Sequence, residues 1–407
     1  MADIISNRAG RYVRQPTDYR AFIPAPLPPT APPLESSGEI QCSLNDAALE
    51  LGRLDGLTVN LPNPDLFLSM YVRKEALLSS QIEGTQASLD EVLEYEALSP
   101  TRKRAPEAAD VIRYVAAMNF GLQRLRKMPL SLRLIREIHG ELMKEGRGSN
   151  RMPGEFRTSQ NWIGESGCTI NTASFVPPPP HEMTVALADL EKLIHSRIAI
   201  PLLIKCALIH AQFETIHPFL DGNGRVGRLL ITFLLCHEKA ISRPLLYLSY
   251  FFKANRSEYY DRLNAIRFAG DWEGWIQFFL RGVAEVAQQA TGTARKILSL
   301  REQHQQLIHT ALPRAATNAL RLLDHLYAKP YADANDVVGA LHVSQPTANQ
   351  LLTKLEKAGL LQEITRQSWG RLYSYREYLD LLKEGTEKLG PDAPQAASRG
   401  KSTKTHG

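Results

Sequence analysis

The sequence predicts an all-α fold with a small β-hairpin flap, an N-terminal helical region and a C-terminal winged helix-turn-helix. Three observations carry that prediction. The 407 residues exceed what one hydrophobic core ordinarily supports, so two or three compact units are expected. Apolar residues recur at helical spacing through most of the chain. Strand-like composition is confined to residues 156–175 and to two short runs between 360 and 375. The hydrophobic fraction of 43% excludes a mostly disordered or collagen-like chain. With 48 basic against 43 acidic side chains, the net charge of +5 is too small to argue for a polyanionic partner by itself.

The first forty residues hold Pro24, Pro26, Pro28, Pro29, Pro32 and Pro33. Proline donates no backbone hydrogen bond, so this stretch reads as an extended arm. From 47 to 98 the pattern is helical, through Leu49, Leu51, Leu54, Leu66, Leu68, Tyr71, Leu77, Leu78 and Ile82. Pro62 and Pro64 divide it into two helices, and Pro100 and Pro106 mark the next junction. Residues 110–281 read as packed helices interrupted once, at 156–175, where FRTSQNWIGESGCTINTASF suits a hairpin or flap. Four prolines, 177–180, end that flap, and a helix begins at 181–184. A polar amphipathic helix at 288–306 reads as a connector.

Residues 317–380 follow a different pattern. Helices are expected at 318–327, 334–341 and 345–358, with Ser344 as N-cap of the third and Gly359 stopping it. Short strands at 360–365 and 371–375 flank a turn at 368–370, which completes a winged-helix order. Eight basic residues face seven acidic ones over 314–380, weak support for DNA. Gln345, Thr347, Asn349 and Gln350 can touch base edges or simply form a solvated face. Protein docking or dimerisation is therefore favoured slightly over DNA. The small, polar residues beyond 389 read as a disordered tail.

Cys42, Cys168, Cys206 and Cys236 lie far apart without a CxxC pair, which fits a reducing compartment better than a disulfide scaffold or zinc ribbon. The N-terminus lacks the apolar core of a signal peptide. Apolar runs such as 245–252 stop far short of the ~20 residues that span a bilayer. A cytoplasmic location with no membrane partner is expected.

The densest chemistry lies in 216–230, IHPFLDGNGRVGRLL. An apolar stretch of buried-helix length, 201–213, precedes it, and Pro218 forces a turn directly after His217. Asp221-Gly222-Asn223-Gly224 then opens a new apolar helix at Arg225. Exposed N–H groups and the helix dipole make such a start an anion cradle, with phosphate its natural guest. Asp221 suits Mg²⁺ bridging phosphate oxygens. Arg225 and Arg228 can grip phosphate bidentately. His217 is a general base of the right type near neutral pH. Gly222-x-Gly224-x-x-Gly227 also matches the dinucleotide fingerprint, but that motif must follow a strand, and here a helix and a proline precede it. His210, Glu214 and His217 share one helical face, as metal ligands could, although a buried pair accounts equally for the first two. A tight interhelical turn alone explains the glycines, not the histidine, aspartate and two arginines beside them.

At these residues the sequence resembles the Fic (Fido) family, whose pattern is His-Pro-Phe-x-(Asp/Glu)-Gly-Asn-Gly-Arg-x-x-Arg. His217, Pro218, Phe219, Asp221, Gly222, Asn223, Gly224, Arg225 and Arg228 meet every specified position, with Val226 and Gly227 at the free ones. The similarity extends to the flap end at Phe175 and prolines 177–180, and to Arg256-Ser257-Glu258-Tyr259-Tyr260. Upstream, Ser79-Ser80-Gln81-Ile82-Glu83-Gly84 resembles the family's inhibitory-helix pattern, (Ser/Thr)-x-x-x-Glu-(Gly/Asn). It covers roughly residues 10–290, and the winged helix is an appended module.

The resemblance implies a Fic-type helical core and transfer of AMP from ATP to a Ser, Thr or Tyr hydroxyl of a target protein, the chain itself included. His217 would be the base and Asp221 the Mg²⁺ ligand. Gly222, Asn223, Gly224, Arg225, Val226, Gly227 and Arg228 would line the ATP site, with Tyr260 near the adenosine and Glu83 at its edge. Trp162 and Ile163 of the flap would hold the target backbone by strand addition. Glu83, with Ser79, would hold Arg228 away from the γ-phosphate, an autoinhibitory latch in cis. Alternatives are AMP removal, transfer of another phosphate-containing moiety, a nucleotide-sensing DNA-binding regulator, and a pseudoenzyme scaffold. The expected partition is an arm and helical region (1–109), a catalytic core (110–285, with the Fido region about 130–281), a connector (286–312), a winged helix (313–382) and a tail (383–407). A homodimer is compatible with it.

Overall fold

The structure, a computed structural model, describes residues 6–59, 64–97, 106–146, 148–165, 167–365 and 370–387. The expected tail disorder beyond 389, the break at Pro62, the junction at Pro100 and the turn at Ser368 lie outside the described residues. Among the described residues the chain forms fifteen α-helices and two three-stranded antiparallel sheets.

The N-terminal arm is more ordered than an extended strap. Strands β1 (Ser6–Asn7), β2 (Gly10–Arg14) and β3 (Arg20–Pro24) pair in register, Gly10 opposite Pro24 and Arg14 opposite Arg20. They precede most of the prolines, which is why a ladder can form there. Tyr12 and Phe22 face each other edge-on at 5.1 Å across β2 and β3. The Phe22 N–H donates to the Val176 carbonyl at 2.9 Å, anchoring the sheet at the flap exit.

Three helices follow where two were expected: α1 (Gly38–Val59), α2 (Pro64–Ile82) and α3 (Leu89–Ala97). The extra break comes at Gly84, whose φ of 97° a continuing helix does not allow. The helical core comprises α4 (Pro106–Leu125), α5 (Leu132–Leu142), α6 (Pro180–His195), α7 (Leu202–Ile216), α8 (Asn223–His237), α9 (Ser249–Ala254) and α10 (Arg256–Ala269). Helix α11 (Trp272–Ala311) runs 40 residues through position 285 without a break, so the connector expected at 288–306 is its second half. Helix α1 lies along it.

Every residue of α7 from Leu203 to Ile216 is buried, as its all-round apolar sequence requires of an interior helix. The Trp275 indole on α11 donates to the Ala207 carbonyl of α7 at 2.9 Å, inside a cluster with Phe252, Tyr259 and Phe278. Among the described residues the flap expected at 156–175 has one isolated strand-like pair, Ile163 with Phe175, rather than a ladder.

The C-terminal unit contains α12 (Ala316–Ala328), β4 (Tyr331–Ala332), α13 (Ala334–Leu341), α14 (Gln345–Lys357), β5 (Gln362–Glu363), β6 (Tyr373–Ser374) and α15 (Arg376–Lys383). The Ser344 hydroxyl caps α14 by accepting from the Thr347 N–H. Strand β4 and helix α15 have no counterpart in the sequence reading. The unit docks on α2 and α3: the Tyr331 hydroxyl donates to Asp90 at 2.7 Å, and Lys383 pairs with the same carboxylate at 2.8 Å. No helix among the described residues is long and apolar enough to cross a membrane.

Because Trp275 joins the site-bearing α7 to the longest helix, Trp275→Ala should destabilise the protein by about 3–5 kcal/mol. Denaturant unfolding midpoints at unchanged slope measure this, and a loss below ~1 kcal/mol would rule out the packing role assigned here.

Candidate active site

Two buried helices meet at the turn that holds the chemistry. Helix α7 ends at Ile216, since Pro218 has no N–H to continue it. His217 adopts a left-handed conformation (φ 50°, ψ 60°), with its N–H donating to the Phe213 carbonyl at 3.0 Å. Gly222 is the N-cap of α8. Asn223 closes the turn: its Oδ1 accepts from the Phe219 N–H at 2.8 Å and its Nδ2 donates to the Phe219 carbonyl at 2.7 Å. That side chain is committed to the loop, so any contact of Asn223 with phosphate falls to its main-chain N–H.

Asp221 is buried beside Arg225, 3.5 Å away, and Arg225 also donates to the Met143 sulfur at 3.2 Å. One turn on, Arg228 is the most tightly held group of the site. Its Nε donates to the Ser79 hydroxyl at 2.8 Å, and its Nη2 donates to the Ser79 carbonyl at 3.0 Å and to Glu83 Oε1 at 2.9 Å. Burial alone would depress the guanidinium, but Glu83, with Tyr259 and Glu214, outweighs it and holds Arg228 above its ordinary pKa. Glu83 stands one residue beyond α2 and reaches the first turn of α8. A Cβ at position 224 would meet its Oε1, so any residue but Gly224 would push the carboxylate from this position. The turn therefore gathers His217, Asp221, the helix start and both arginines, and it brings Ser79 and Glu83 onto Arg228.

Two family descriptions match the chain, Fic/DOC family N-terminal over residues 42–123 and Fic/DOC family over residues 129–235. The second match contains the whole α7–turn–α8 site. The chain carries the N-terminal domain and the main domain of the Fic/DOC family. A probable protein adenylyltransferase of Aquifex aeolicus is 30% identical over 169 residues, 42% of this chain and 49% of that one. The protein adenylyltransferase Fic of Drosophila willistoni is 30% identical over 167 residues, 40% of this chain and 29% of that one. The chain thus spans half or less of these curated relatives. A crystal structure of a Fic family protein from Desulfovibrio desulfuricans matches with a TM-score of 0.55 at 20% identity, covering 84% of this chain and 98% of that one. This likeness shows a shared Fic fold.

The other expected site residues have distinct placements in this Fic core. Tyr260, partly buried on α10, lies under the Arg256 guanidinium at 5.6 Å; burial and then Glu83 hold its hydroxyl above its ordinary pKa. The Trp162 indole donates to the Cys168 carbonyl at 3.2 Å, while Ile163 and Phe175 exchange hydrogen bonds of 2.8 and 3.0 Å. Val226 is packed into the core, and the Gly227 carbonyl accepts from His210 Nδ1 at 2.9 Å. His210 Nε2 then accepts from the Tyr259 hydroxyl at 2.9 Å. Both ring nitrogens are thereby used, and burial pushes His210 down to about 3, so it is a neutral core histidine rather than a metal ligand. Among the described residues no group of three or more His, Cys, Asp or Glu is placed to hold a metal.

Three contributors escaped the sequence reading. His139 Nδ1 accepts from the Gly154 N–H at 2.8 Å, which puts the ring proton on Nε2, where it meets the Asp221 carbonyl at 2.9 Å. The ring also stacks on Phe219 at 3.7 Å. A lone histidine on an amphipathic helix gives no spacing signal, so only the fold reveals it. Arg157 sits under the His217 turn, hidden in a flap read for its small polar residues. Glu75 did carry a signal: it precedes Ser79 and Glu83 by four and eight residues, on the same face of α2. It accepts from the Tyr114 hydroxyl at 3.2 Å and from the Ser249 N–H at 3.1 Å.

Burial raises Glu75 from its ordinary 4.5 to about 7, against the hydrogen bonds from Ser249 and the field of Arg228. Between those values the unfolded chain has released the proton and the folded one retains it, so this group costs stability as pH rises. Glu75→Gln removes that cost. Its stability relative to the parent should therefore improve by about 2–3 kcal/mol from pH 5 to pH 8. Chemical denaturation at both pH values tests this, and parallel curves would contradict the buried-carboxyl assignment.

Proposed function

We propose that this protein transfers AMP from ATP to a hydroxyl side chain of a target protein and that Glu83 holds the activity off. The observation that carries the reading is that a base, a hard carboxylate, an open helix start and a buried arginine all project from one turn between two buried helices. A pure anion sensor needs the cradle but neither His217 nor Asp221.

Asp221 offers one buried carboxylate instead of a cluster, which fits Mg²⁺, a cation that completes its shell with phosphate and water oxygens. Bound there, Mg²⁺ would neutralise charge on the α- and β-phosphates. The main-chain N–H groups of Gly222, Asn223 and Gly224 hold phosphate oxygens at the positive end of α8. Arg225 and Arg228 take the β/γ end. His217 removes the proton of the target hydroxyl as its oxygen bonds to the α-phosphorus, and the bond from that phosphorus to the pyrophosphate oxygen breaks. The flap, through Trp162 and Ile163, holds the target backbone near that base. Tyr260 lies on the adenosine side. Residues 313–382 we read as a winged helix, supported by their order of helix, strand, two helices and two strands.

Regulation follows from competition for one side chain. Arg228 cannot serve Glu83 at 2.9 Å and a γ-phosphate in the same orientation. Glu83 is a quarter exposed while Arg228 is almost fully buried, so the glutamate is the partner that can leave.

Purified parent, Glu83→Gly and Glu83→Gly/His217→Ala are incubated with Mg²⁺ and ATP labelled at the α-phosphate. Glu83→Gly should label protein, itself included, at least about tenfold faster than the parent, a barrier change of ~1.4 kcal/mol. The double variant should not label. Equal labelling of parent and Glu83→Gly would remove the latch and leave the transferase, while no label in any variant that still binds ATP would refute the transfer reaction.

A further inference from the structure

Beyond the residues that would meet ATP, one buried cation has no anion to account for it among the described residues. Arg157 is 1% exposed, and its side-chain hydrogen bonds all go to main-chain carbonyls. Nε donates to His217 at 2.9 Å. Nη2 donates to Pro178 at 2.6 Å and Ile216 at 3.4 Å, and Nη1 donates to Ser159 at 3.2 Å. Its own N–H donates to the Pro218 carbonyl at 2.9 Å. Burying an unpaired guanidinium is costly, and here burial lowers it only to about 10, so it stays charged at neutral pH.

These acceptors belong to three separate stretches. Ile216 and His217 supply the last carbonyls of α7, which have no helical donors and sit at the negative end of its dipole. Ser159 lies at the entry of the flap and Pro178 at its exit. Asn161 reinforces the same seam, with Nδ2 reaching the His217 carbonyl at 3.4 Å and the Phe219 carbonyl at 3.1 Å. The nucleotide side of the turn is fixed by other groups: His139 on Asp221, Asn223 on Phe219, and Ser79 with Glu83 on Arg228. None of Arg157's hydrogen bonds reaches α8.

We infer that Arg157 is a positioning residue that registers the flap against His217, and so sets where a target hydroxyl meets the base. The inference rests on the AMP-transfer reading for its effect on rate, but its geometry does not. A planar fork spreads its donors over carbonyls on three stretches, whereas a lysine ammonium gathers its three donors on one nitrogen.

The test uses the full chain carrying Glu83→Gly, with and without Arg157→Lys. Arg157→Lys should lower the labelling rate by about 100-fold, the scale of a 1 Å misplacement at a reacting centre. Affinity for ATP, by calorimetry, should stay within about threefold, roughly half a pKa unit in energy. The His217 ring resonance, assigned by its loss in His217→Ala, should shift or broaden. An unaltered rate with an unaltered resonance overturns the inference, as does ATP affinity that falls in step with the rate. Should Arg157→Lys fail to fold, Asn161→Ala cuts the neighbouring bonds to the same turn and must show the same split. If the Glu83→Gly parent transfers no AMP, the proposed function fails, and the ring resonance alone still decides the role of Arg157.

Discussion

The structure turns on one buried guanidinium. Arg228 projects from the second turn of an interior helix, where a buried positive charge is costly unless a carboxylate or several acceptors meet it. Ser79 and Glu83 supply them, and both come from the end of α2. Seating α2 against α8 is therefore obligatory in the described state. The glycine at 224 leaves room for the carboxylate, because any side chain there would meet it and push it aside. The residue types that build a phosphate cradle also build a berth for a carboxylate, since both are anions seeking the same N–H groups and the same arginine.

Helix α2 consequently has two working faces. Glu75, Ser79 and Glu83, four residues apart, look toward Tyr114, Ser249 and Arg228. Gln81, between them in sequence, donates instead to the carbonyls of Ala87 at 2.9 Å and of Thr386 at 3.1 Å. Lys74 lies over the Tyr247 ring at 4.7 Å, and Lys253 of α9 reaches the Gly385 carbonyl at 3.3 Å. The C-terminal segment and the α7–α8 turn thus press on opposite sides of a single helix. A movement of α2 large enough to withdraw Glu83 must also break the Gln81 hydrogen bond to the Thr386 carbonyl. The C-terminal unit, held to α3 through Tyr331 and Lys383 on Asp90, is therefore not a passenger on a flexible tether.

What was legible in the sequence is what depends on spacing. The His217–Arg228 turn, the buried α7 and the caps at Ser344 and Gly359 follow from local periodicity or contiguous motifs, and the Ser79–Glu83 pair from the family resemblance alone. What was not legible depends on long-range placement. The β1–β3 sheet needed Val176 to anchor it, and β4 needed β6, some forty residues away. The α11 helix looked divisible because its second half is polar, yet the buried Ile297, Leu300 and Ile308 carry its apolar stripe onward. His139 and Arg157 act through carbonyls 82 and 60 residues away, which no one-dimensional pattern announces.

The backbone at His217 gives the argument its last step. A left-handed conformation costs an ordinary L-residue about 1 kcal/mol, and glycine would adopt it freely. The turn nevertheless carries an imidazole where relaxation favours glycine, and the surroundings over-determine it. Phe213 holds its N–H, Arg157 and Asn161 hold its carbonyl, and Pro218 fixes the next residue. Four constraints on one strained residue exceed what a tight interhelical turn needs, since glycines serve such turns alone. They are what a base needs if its ring is to stay aimed while the flap and the nucleotide side are gripped by different hands. On this geometry the strain at His217 and the buried charge of Arg157 are two parts of a single arrangement.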